Sequence, residues 1–221
     1  MINWKSTAGQ LLIAALAVAG IESVVLVMPS LTIASTEMVL LREAMLIGGS
    51  IALMMWLVRA GPVPAAVMGW KRPTLGTAGW GMLCLLATFA VSGAMIFSMK
   101  ALGLHQNAAV LGVIANRPIW MIALICLTAA ISEEIIYRGI LLNYVASASG
   151  RVWVGAVVSL AAFALAHLSG WGWGHVMFAA VPGLVLTLFF LWKRDLGVCM
   201  IAHFLVDFLG LLGAVAQAHH G

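Results

Sequence analysis

Three apolar stretches in the second half of the chain carry side chains able to exchange protons. They are the stretch with Glu133, Glu134 and Arg138, the stretch with His167, and the stretch with His203 and Asp207. An ionisable residue inside an apolar, membrane-spanning segment is costly and marks a functional site by default. Carboxylates and imidazoles are the groups that most often act in general acid–base catalysis. The three clusters therefore predict a site for proton transfer within the membrane.

In the first cluster, the two adjacent carboxylates are expected to have different partners. Glu134 and Arg138 are four residues apart, so on a helix they share one face and can pair. Glu133 is turned by about 100° from Glu134 and faces elsewhere, without that arginine. Two neighbouring carboxylates in a low dielectric do not both ionise easily. This makes Glu133 the candidate general acid or base, and a structural ion pair at a helix end is the alternative interpretation.

The two histidine clusters can reach the same level as Glu133. Glu133 lies 17 residues before Gly150 and His167 lies 17 after it, so a helical hairpin at Gly150 places both about 25 Å from the turn. His203 shares a helix face with Asp207, which can fix its tautomer or support its charge. For His167 alone, a satisfied core histidine is the alternative interpretation. Three polar clusters that each need a partner in lipid favour convergence.

Other chemistries have weaker signals in this sequence. Two histidines and several carboxylates could hold zinc and activate water, although the helical HExxH motif is absent. No GxSxG sequence is present, which disfavours a serine hydrolase. Cys84, Cys126 and Cys199 form no CxxC pair and are interpreted as small core residues.

The amino-acid composition indicates which class of protein this is. The 221 residues are 64% hydrophobic and 8% charged, with a mean hydropathy of +1.12, which excludes a soluble enzyme and a disordered chain. The prediction is an all-α, polytopic integral membrane bundle with about seven transmembrane helices, or eight with a missed one, in one domain over residues 1–221. Its surroundings are the lipid bilayer, and the net charge of +4 indicates no nucleic-acid partner. The predicted spans are 8–28, 39–58, 76–98, 118–142, 152–169, 175–192 and 196–216.

The loops between the spans predict an orientation. Residues 61–73, rich in proline, are predicted to form an interfacial connector, and the segment from Ser169 to His175 either anchors tryptophans at the interface or forms a flexible lip. Under the positive-inside rule the N-terminus is predicted to be cytoplasmic. The inner side then holds Lys5, Arg59, Lys71, Arg72, Arg138, Arg151, Lys193 and Arg194, and the outer side holds Lys100, Arg117 and Arg42.

The ordered clusters resemble a known pattern, that of the CPBP family of CAAX prenyl endopeptidases and bacteriocin-processing proteins, also called ABI-type. The motifs are Glu133-Glu134-Ile-Ile-Tyr-Arg138, Phe163-Ala-Leu-Ala-His167 and His203-Phe-Leu-Val-Asp207, covering about residues 118–210. The resemblance implies a glutamic-type intramembrane endopeptidase without a cofactor, of a reduced type found in bacterial inner (plasma) membranes. It implies that Glu133 with His167 activates a water, that Glu134 with Arg138 holds the site, and that His203 and residue 207 line the oxyanion side.

One position departs from the family pattern. Prenyl endopeptidases tend to have asparagine where this chain has Asp207, and an ionised aspartate cannot donate a hydrogen bond to an oxyanion. Asp207 can instead orient His203, be protonated or help to bind metal. Three hypotheses result. The first is an endopeptidase acting on a membrane-anchored protein or peptide, the second a zinc-dependent protease using the same residues. The third is a non-enzymatic immunity or partner-binding membrane protein.

Overall fold

The computed structural model describes residues 5–27, 34–101, 103 and 107–220, and within these residues it contains helices and no strand. The predicted all-α fold is therefore confirmed. The helices are α1 (Thr7–Val27), α2 (Thr36–Ala60), α3 (Leu75–Ala101), α4 (Ala108–Ala115), α5 (Ile119–Ser149), α6 (Val152–Trp171), α7 (Trp173–Lys193) and α8 (Leu196–His220). Seven of them are long and apolar enough to cross a membrane, which indicates an integral membrane protein as predicted.

The outer surface of the bundle is apolar, as a lipid-facing surface must be. Leu86, Phe97 and Leu188 are 62%, 78% and 56% exposed, which would be unfavourable in water. Helix α5 differs from the others because half of its most apolar window is buried inside the protein. It is thus the central helix, surrounded by α1, α2, α6 and α8.

Two features of the helices differ from the sequence prediction. The fourth span was predicted as 118–142, but α5 continues to Ser149 because Asn143, Tyr144 and Val145 are buried against neighbouring helices rather than leaving the membrane. Helix α4, too short to span, was not predicted. The last residue of the first predicted span, 28, lies outside the described residues.

Helix α5 changes its hydrogen-bond register in the middle. It is α-helical over Ile119–Glu133, π-helical over Glu134–Leu141 and α-helical again over Leu142–Ser149. All eight residues of the π-helical segment are buried. Side chains satisfy the carbonyls there: Asn143 Nδ2 donates to the carbonyls of residues 138 and 139 at 2.8 and 3.0 Å, and Ser159 Oγ donates to that of Tyr137 at 2.7 Å. Segments of this kind are rare and often lie at functional sites.

A tight turn folds α6 back along α5. Gly150 has φ +67°, the left-handed conformation that glycine adopts without a steric penalty, and it ends α5. The predicted turn at Gly150 is therefore confirmed. The two helices then approach closely at Gly155, where a Cβ atom would collide with the carbonyl oxygen of Leu142 and lie 2.9 Å from Ala146 Cβ.

One end of the bundle collects the connections that carry basic residues, and we call it the cationic end. It contains Lys5, Arg59, Lys71, Arg72, Arg151, Lys193 and Arg194. Contacts join these segments: the Leu196 amide donates to the Gly69 carbonyl at 3.0 Å, and Lys71 Nζ donates to the Lys193 carbonyl at 3.0 Å. The connector predicted over residues 61–73 is indeed non-helical, with Met68 fully buried.

The remaining connections lie at the opposite end of the bundle, which we call the α4 end. Arg117 Nη2 donates to the carbonyl of Ala34 at 3.0 Å, which ties the start of α5 to the start of α2. Asn107 caps α4 through the amide of Ala109 at 3.1 Å, and its Nδ2 lies 3.5 Å from the carbonyl of Gly170 in the last turn of α6. The two ends therefore have distinct sets of contacts.

The close approach at Gly155 generates a stability prediction. Gly155→Ala places a methyl group where α5 and α6 touch, so we expect the free energy of unfolding to fall by about 1–3 kcal/mol through overpacking. Gly48→Ala is the matched control, because nothing lies within 4 Å of a Cβ at that helical position. Thermal unfolding in detergent, followed by tryptophan fluorescence, compares the two variants. Equal stability of both would contradict the packing described for Gly155.

Candidate active site

A cavity of about 390 Å³ lies inside the bundle, between helices α2 to α8. Four of the six predicted site residues line it: Glu133, His167, His203 and Asp207. The other two, Glu134 and Arg138, are fully buried next to it. The three sequence clusters therefore meet at one place, which their spacing along the chain permits.

Glu134 and Arg138 form an ion pair that no solvent reaches. Arg138 Nη1 lies 2.8 Å from Glu134 Oε1, and both side chains are 0% exposed. Arg138 Nη2 also donates to the Gly183 carbonyl of α7 at 3.1 Å, and its guanidinium lies 4.2 Å from the centre of the Phe163 ring of α6. A buried charge is tolerated when it is paired and hydrogen-bonded in this way.

The position of Arg138 corrects two interpretations made from the sequence. Arg138 was counted among the basic residues of the inner side, but it is enclosed in the interior and belongs to no connection. The ion pair was alternatively placed at a helix end, but it lies in the π-helical segment in the middle of α5. The physical reason is that three groups inside the bundle stabilise the charge of Arg138: the Glu134 carboxylate, the Gly183 carbonyl and the Phe163 ring.

His203 lies between carboxylates. Its Nδ1 is 2.8 Å from Glu134 Oε1, and its Nε2 is 3.3 Å from Asp207 Oδ2 and 4.0 Å from Glu133 Oε2. The predicted pairing of His203 with Asp207 is thus present. Because carboxylates only accept, an imidazole that donates at both nitrogens must be protonated. This arrangement can place a positive, donating ring beside Glu133.

His167 stands where α6 breaks. The regular helix ends at Ala166, and one further turn runs from Leu168 to Trp171. Its Nδ1 lies 2.8 Å from the carbonyl of Phe163, and since a carbonyl can only accept, Nδ1 is the donor. In the neutral ring the other nitrogen, Nε2, carries no proton and can act as a base in the cavity wall.

Two cavity residues were not identified from the sequence as site residues. The ring of His175 stacks on Trp171, with centroids 4.5 Å apart, and on His167 at 5.2 Å. The tryptophan-rich segment was interpreted as an interface anchor or a lip, and the structure adds that Trp171 and His175 line the cavity. The sequence feature that could have identified His175 is its place directly after the glycine-rich segment that follows His167.

A second charged pair was also missed. In α2, Arg42 Nη1 lies 3.5 Å from Glu43 Oε1, Glu43 is 3% exposed, and Arg42 lines the cavity. Arg42 was assigned to the outer loops, whereas it lies inside α2. The sequence feature that could have identified this pair is an Arg-Glu dipeptide within an apolar stretch.

A further polar contact joins α1 to α5. Tyr137 Oη donates to Glu22 Oε1 of α1 at 2.9 Å.

The side chains do not fit a zinc centre. In the described part of the chain no three histidine, cysteine or acidic side chains are arranged to hold a metal ion. Both nitrogens of His203 already face carboxylates. The three cysteines are free and buried, as predicted for core residues, and only Cys126 lines the cavity.

Comparison with known proteins identifies a family for the part of the chain that holds this site. Residues 115–209 match the model of the family described as Type II CAAX prenyl endopeptidase Rce1-like. The matched segment contains all six predicted site residues and confirms the resemblance drawn from the three motifs. It supports a membrane protease of that family. The searches of curated proteins and of solved structures found no match.

The buried ion pair generates a prediction about stability. Arg138→Met leaves the Glu134 carboxylate without its arginine in a water-free environment, so we expect the free energy of unfolding to fall by about 3–5 kcal/mol. Adding Glu134→Gln to that variant removes the unpaired charge and should recover part of the loss. Arg151→Met, at an exposed position, is the control and should change stability by less than about 0.5 kcal/mol. Equal effects of Arg138→Met and Arg151→Met in thermal unfolding would refute this role.

Proposed function

From the match of residues 115–209 to this endopeptidase family, we propose that the chain is a glutamic-type intramembrane endopeptidase. It hydrolyses a peptide bond of a membrane-anchored protein or peptide. The observation that carries the proposal is the Glu133 carboxylate, which lines the cavity and whose buried Oε2 has no hydrogen-bond partner among the described residues. An unsatisfied buried acceptor beside two histidines is suited to take a proton from water.

In the proposed reaction Glu133 acts as general base. The carboxylate, assisted by Nε2 of His167, accepts a proton from a water in the cavity, and the resulting hydroxide bonds to the carbonyl carbon of the substrate. When the tetrahedral intermediate collapses, the C–N bond breaks. The same proton passes to the leaving amine nitrogen, so the reaction balances without an oxidant or a reductant.

His203 is proposed to stabilise the developing oxyanion. A protonated ring held between Glu134 and Asp207 places a positive charge next to Glu133, where the oxyanion develops. A charge placed in advance where opposite charge develops is among the largest contributions to catalysis. Asp207 then orients His203, which agrees with an aspartate where the family tends to have asparagine. Glu134 and Arg138 position the site and do not touch the substrate.

The stack of His175 supports the role of His167. The Phe163 carbonyl fixes one nitrogen of His167, and the His175 ring covers one face of its imidazole. The ring of Phe163 contacts His167 edge-on at 5.1 Å. These contacts leave the catalytic nitrogen in one orientation, which is the condition for an efficient base. We therefore propose His175 as a positioning residue.

The proposed location is a bacterial inner membrane, with the N-terminus in the cytoplasm. The charge asymmetry between the two ends of the bundle supports this orientation, since seven basic residues lie at the cationic end. The substrate is accordingly a polypeptide held at or in the same bilayer.

The role of Glu133 is tested by comparing the termini of membrane proteins. Glu133→Gln and His167→Ala should each reduce cleavage by at least about 10²-fold, because each removes a proton-transfer group. Quantitative terminal peptidomics on membranes with wild type or variant at matched levels supplies the readout. Thermal unfolding checks that both variants fold.

Each alternative hypothesis predicts a different result in that experiment. Termini that are unchanged between wild type and Glu133→Gln would favour the non-enzymatic hypothesis. Cleavage that is lost with a chelator and restored by zinc would favour the zinc protease. Shortened termini that depend on Glu133 and persist with the chelator agree with the proposal.

The positioning role of His175 makes a separate prediction. His175→Ala removes the stacked ring, so we expect cleavage to slow by about 10- to 100-fold through misorientation of His167. His175→Phe keeps a ring of similar shape and should recover most of the rate. If phenylalanine is as damaging as alanine, the imidazole itself is needed and the stacking explanation is wrong.

A further inference from the structure

We propose that Arg42 is a substrate-binding residue, which holds a carboxylate of the substrate inside the cavity that contains Glu133. The carboxylate belongs either to an aspartate or glutamate side chain of the substrate or to the end of its chain. This inference rests on the proposed function and deepens it, because it names a chemical group that the substrate carries. The binding site itself is argued from the contacts of Arg42 and requires no catalytic step.

The guanidinium of Arg42 is only loosely paired within the protein. Its Nη1 is buried without a hydrogen-bond partner among the described residues, and its contact with Glu43 Oε1 is a long one of 3.5 Å. An arginine has five N–H donors, and burying donors without acceptors costs free energy. The Arg42 side chain is 15% exposed and lines the cavity. A ligand in the cavity can therefore supply the acceptors that the protein does not.

The other arginine next to the cavity has a different environment. Arg138 pairs with Glu134 at 2.8 Å, donates to the Gly183 carbonyl at 3.1 Å and lies over the Phe163 ring, and none of its side chain is exposed. Fixed groups of the bundle balance the charge of Arg138, as a structural role requires. Arg42 has one distant carboxylate and borders the cavity, which is the environment of an arginine that binds a ligand.

The charges of the cavity wall also direct an anion to Arg42. Among the described residues that line the cavity, Arg42 is the one whose side chain is always positively charged. The carboxylates of Glu133 and Asp207 line the cavity from α5 and α8 and repel an anion. Both nitrogens of His203 already face carboxylates. An anionic group of the substrate is therefore attracted to α2.

The spacing of Arg42 and Glu133 allows one substrate to reach both. Helices α2 and α5 begin at the same end of the bundle, where the side chain of Arg117 joins their starts. Arg42 is six residues after Thr36, or about 9 Å along α2. Glu133 is 14 residues after Ile119, or about 21 Å along α5. Arg42 thus lies about 12 Å nearer the α4 end, a distance that a short extended segment covers.

A carboxylate is the group that suits this site. The guanidinium fork binds a carboxylate through two parallel hydrogen bonds, which a single point charge cannot do. Most of the other residues that line the cavity are apolar, and a charge-assisted hydrogen bond is stronger in such surroundings than in water. Polypeptides carry carboxylates in acidic side chains and at the end of the chain. The substrate is therefore a polypeptide with an anionic group close to the cleaved bond.

Binding of labelled peptides tests this inference without turnover. The probes are N-dansylated oligoleucine peptides with a C-terminal amide, with a free C-terminal carboxylate, or with an amide and one glutamate at varied positions. The chain carries Glu133→Gln in lipid nanodiscs, and fluorescence anisotropy gives Kd after binding to empty nanodiscs is subtracted. We expect a carboxylate peptide to bind at least about tenfold more tightly than the neutral amide peptide. Carboxylate peptides that bind no better than the neutral peptide would overturn the inference.

Variants of Arg42 show whether this residue is responsible for the preference. Arg42→Gln should remove it and leave the Kd of the neutral peptide unchanged. Arg42→Glu should reverse it and favour an amide peptide with lysine in place of glutamate. Arg151→Gln, at an exposed position of the cationic end, is the matched control and should keep the preference. A preference that survives in Arg42→Gln would mean that the carboxylate binds elsewhere, and the inference would be wrong.

A second variant keeps the test valid if Arg42→Gln does not fold. Arg42→Gln combined with Glu43→Gln removes both charges, so no unpaired carboxylate is left buried in α2. Thermal unfolding checks its fold, and it should also lack the preference. The probes distinguish the two sources of the carboxylate. A preference for the free C-terminal carboxylate alone assigns the end of the chain, and a preference for an internal glutamate assigns an acidic side chain.

Cleavage in membranes separates this inference from the proposed function. With Arg42→Gln in the chain that retains Glu133, the release of Glu133-dependent shortened termini should fall at least about tenfold. Binding that depends on Arg42 without any Glu133-dependent termini would refute the protease and support the carboxylate site. Such termini together with equal Kd values in the presence and absence of Arg42 would support the protease and refute the site.

Discussion

A single carboxylate oxygen holds the interior of this protein together. Glu134 Oε1 accepts from Arg138 and lies 2.8 Å from His203 Nδ1, so two cationic or donating groups meet on one atom. Through Arg138 the same contact reaches the Gly183 carbonyl and the Phe163 ring. Four helices, α5 to α8, are thus joined at a point where no water can replace a lost partner. In such a medium an unpaired charge is strongly unfavourable, so the positions of Glu133, His167 and His203 relative to one another all depend on it.

Much of the fold and the identity of the site follow from local patterns. Apolar stretches long enough to span a membrane predict seven helices, and the equal distances of Glu133 and His167 from Gly150 predict their common level. The pair of Glu134 with Arg138 and that of His203 with Asp207 follow from a separation of four residues. Each of these features is determined by helix geometry and one turn, which a sequence displays directly.

The features that were missed depend on contacts between distant segments. The burial of the last turns of α5, which carries the helix to Ser149, results from packing against other helices. The π-helical register depends on Ser159 of α6 as well as on Asn143. Arg42, which pairs with Glu43, reaches the site from α2, outside the three motifs and outside the matched segment. Spacing along one helix contains no information on such neighbours, so these residues become visible only in the assembled bundle.

The π-helical segment also has a consequence for how this chain can vary in length. A π turn holds about one residue more than an α turn, so a single deletion between Glu134 and Leu141 would return α5 to a regular α-helix without rotating Leu142–Ser149 about the helix axis. A deletion between Glu134 and Arg138 would shorten their separation from four residues to three, which changes the angle between the two side chains around the helix. A deletion in either flanking α-helical part would instead rotate everything after it by about 100°. Connections such as residues 61–73 can accommodate insertions and deletions, whereas the length of this buried segment is itself part of the active-site geometry.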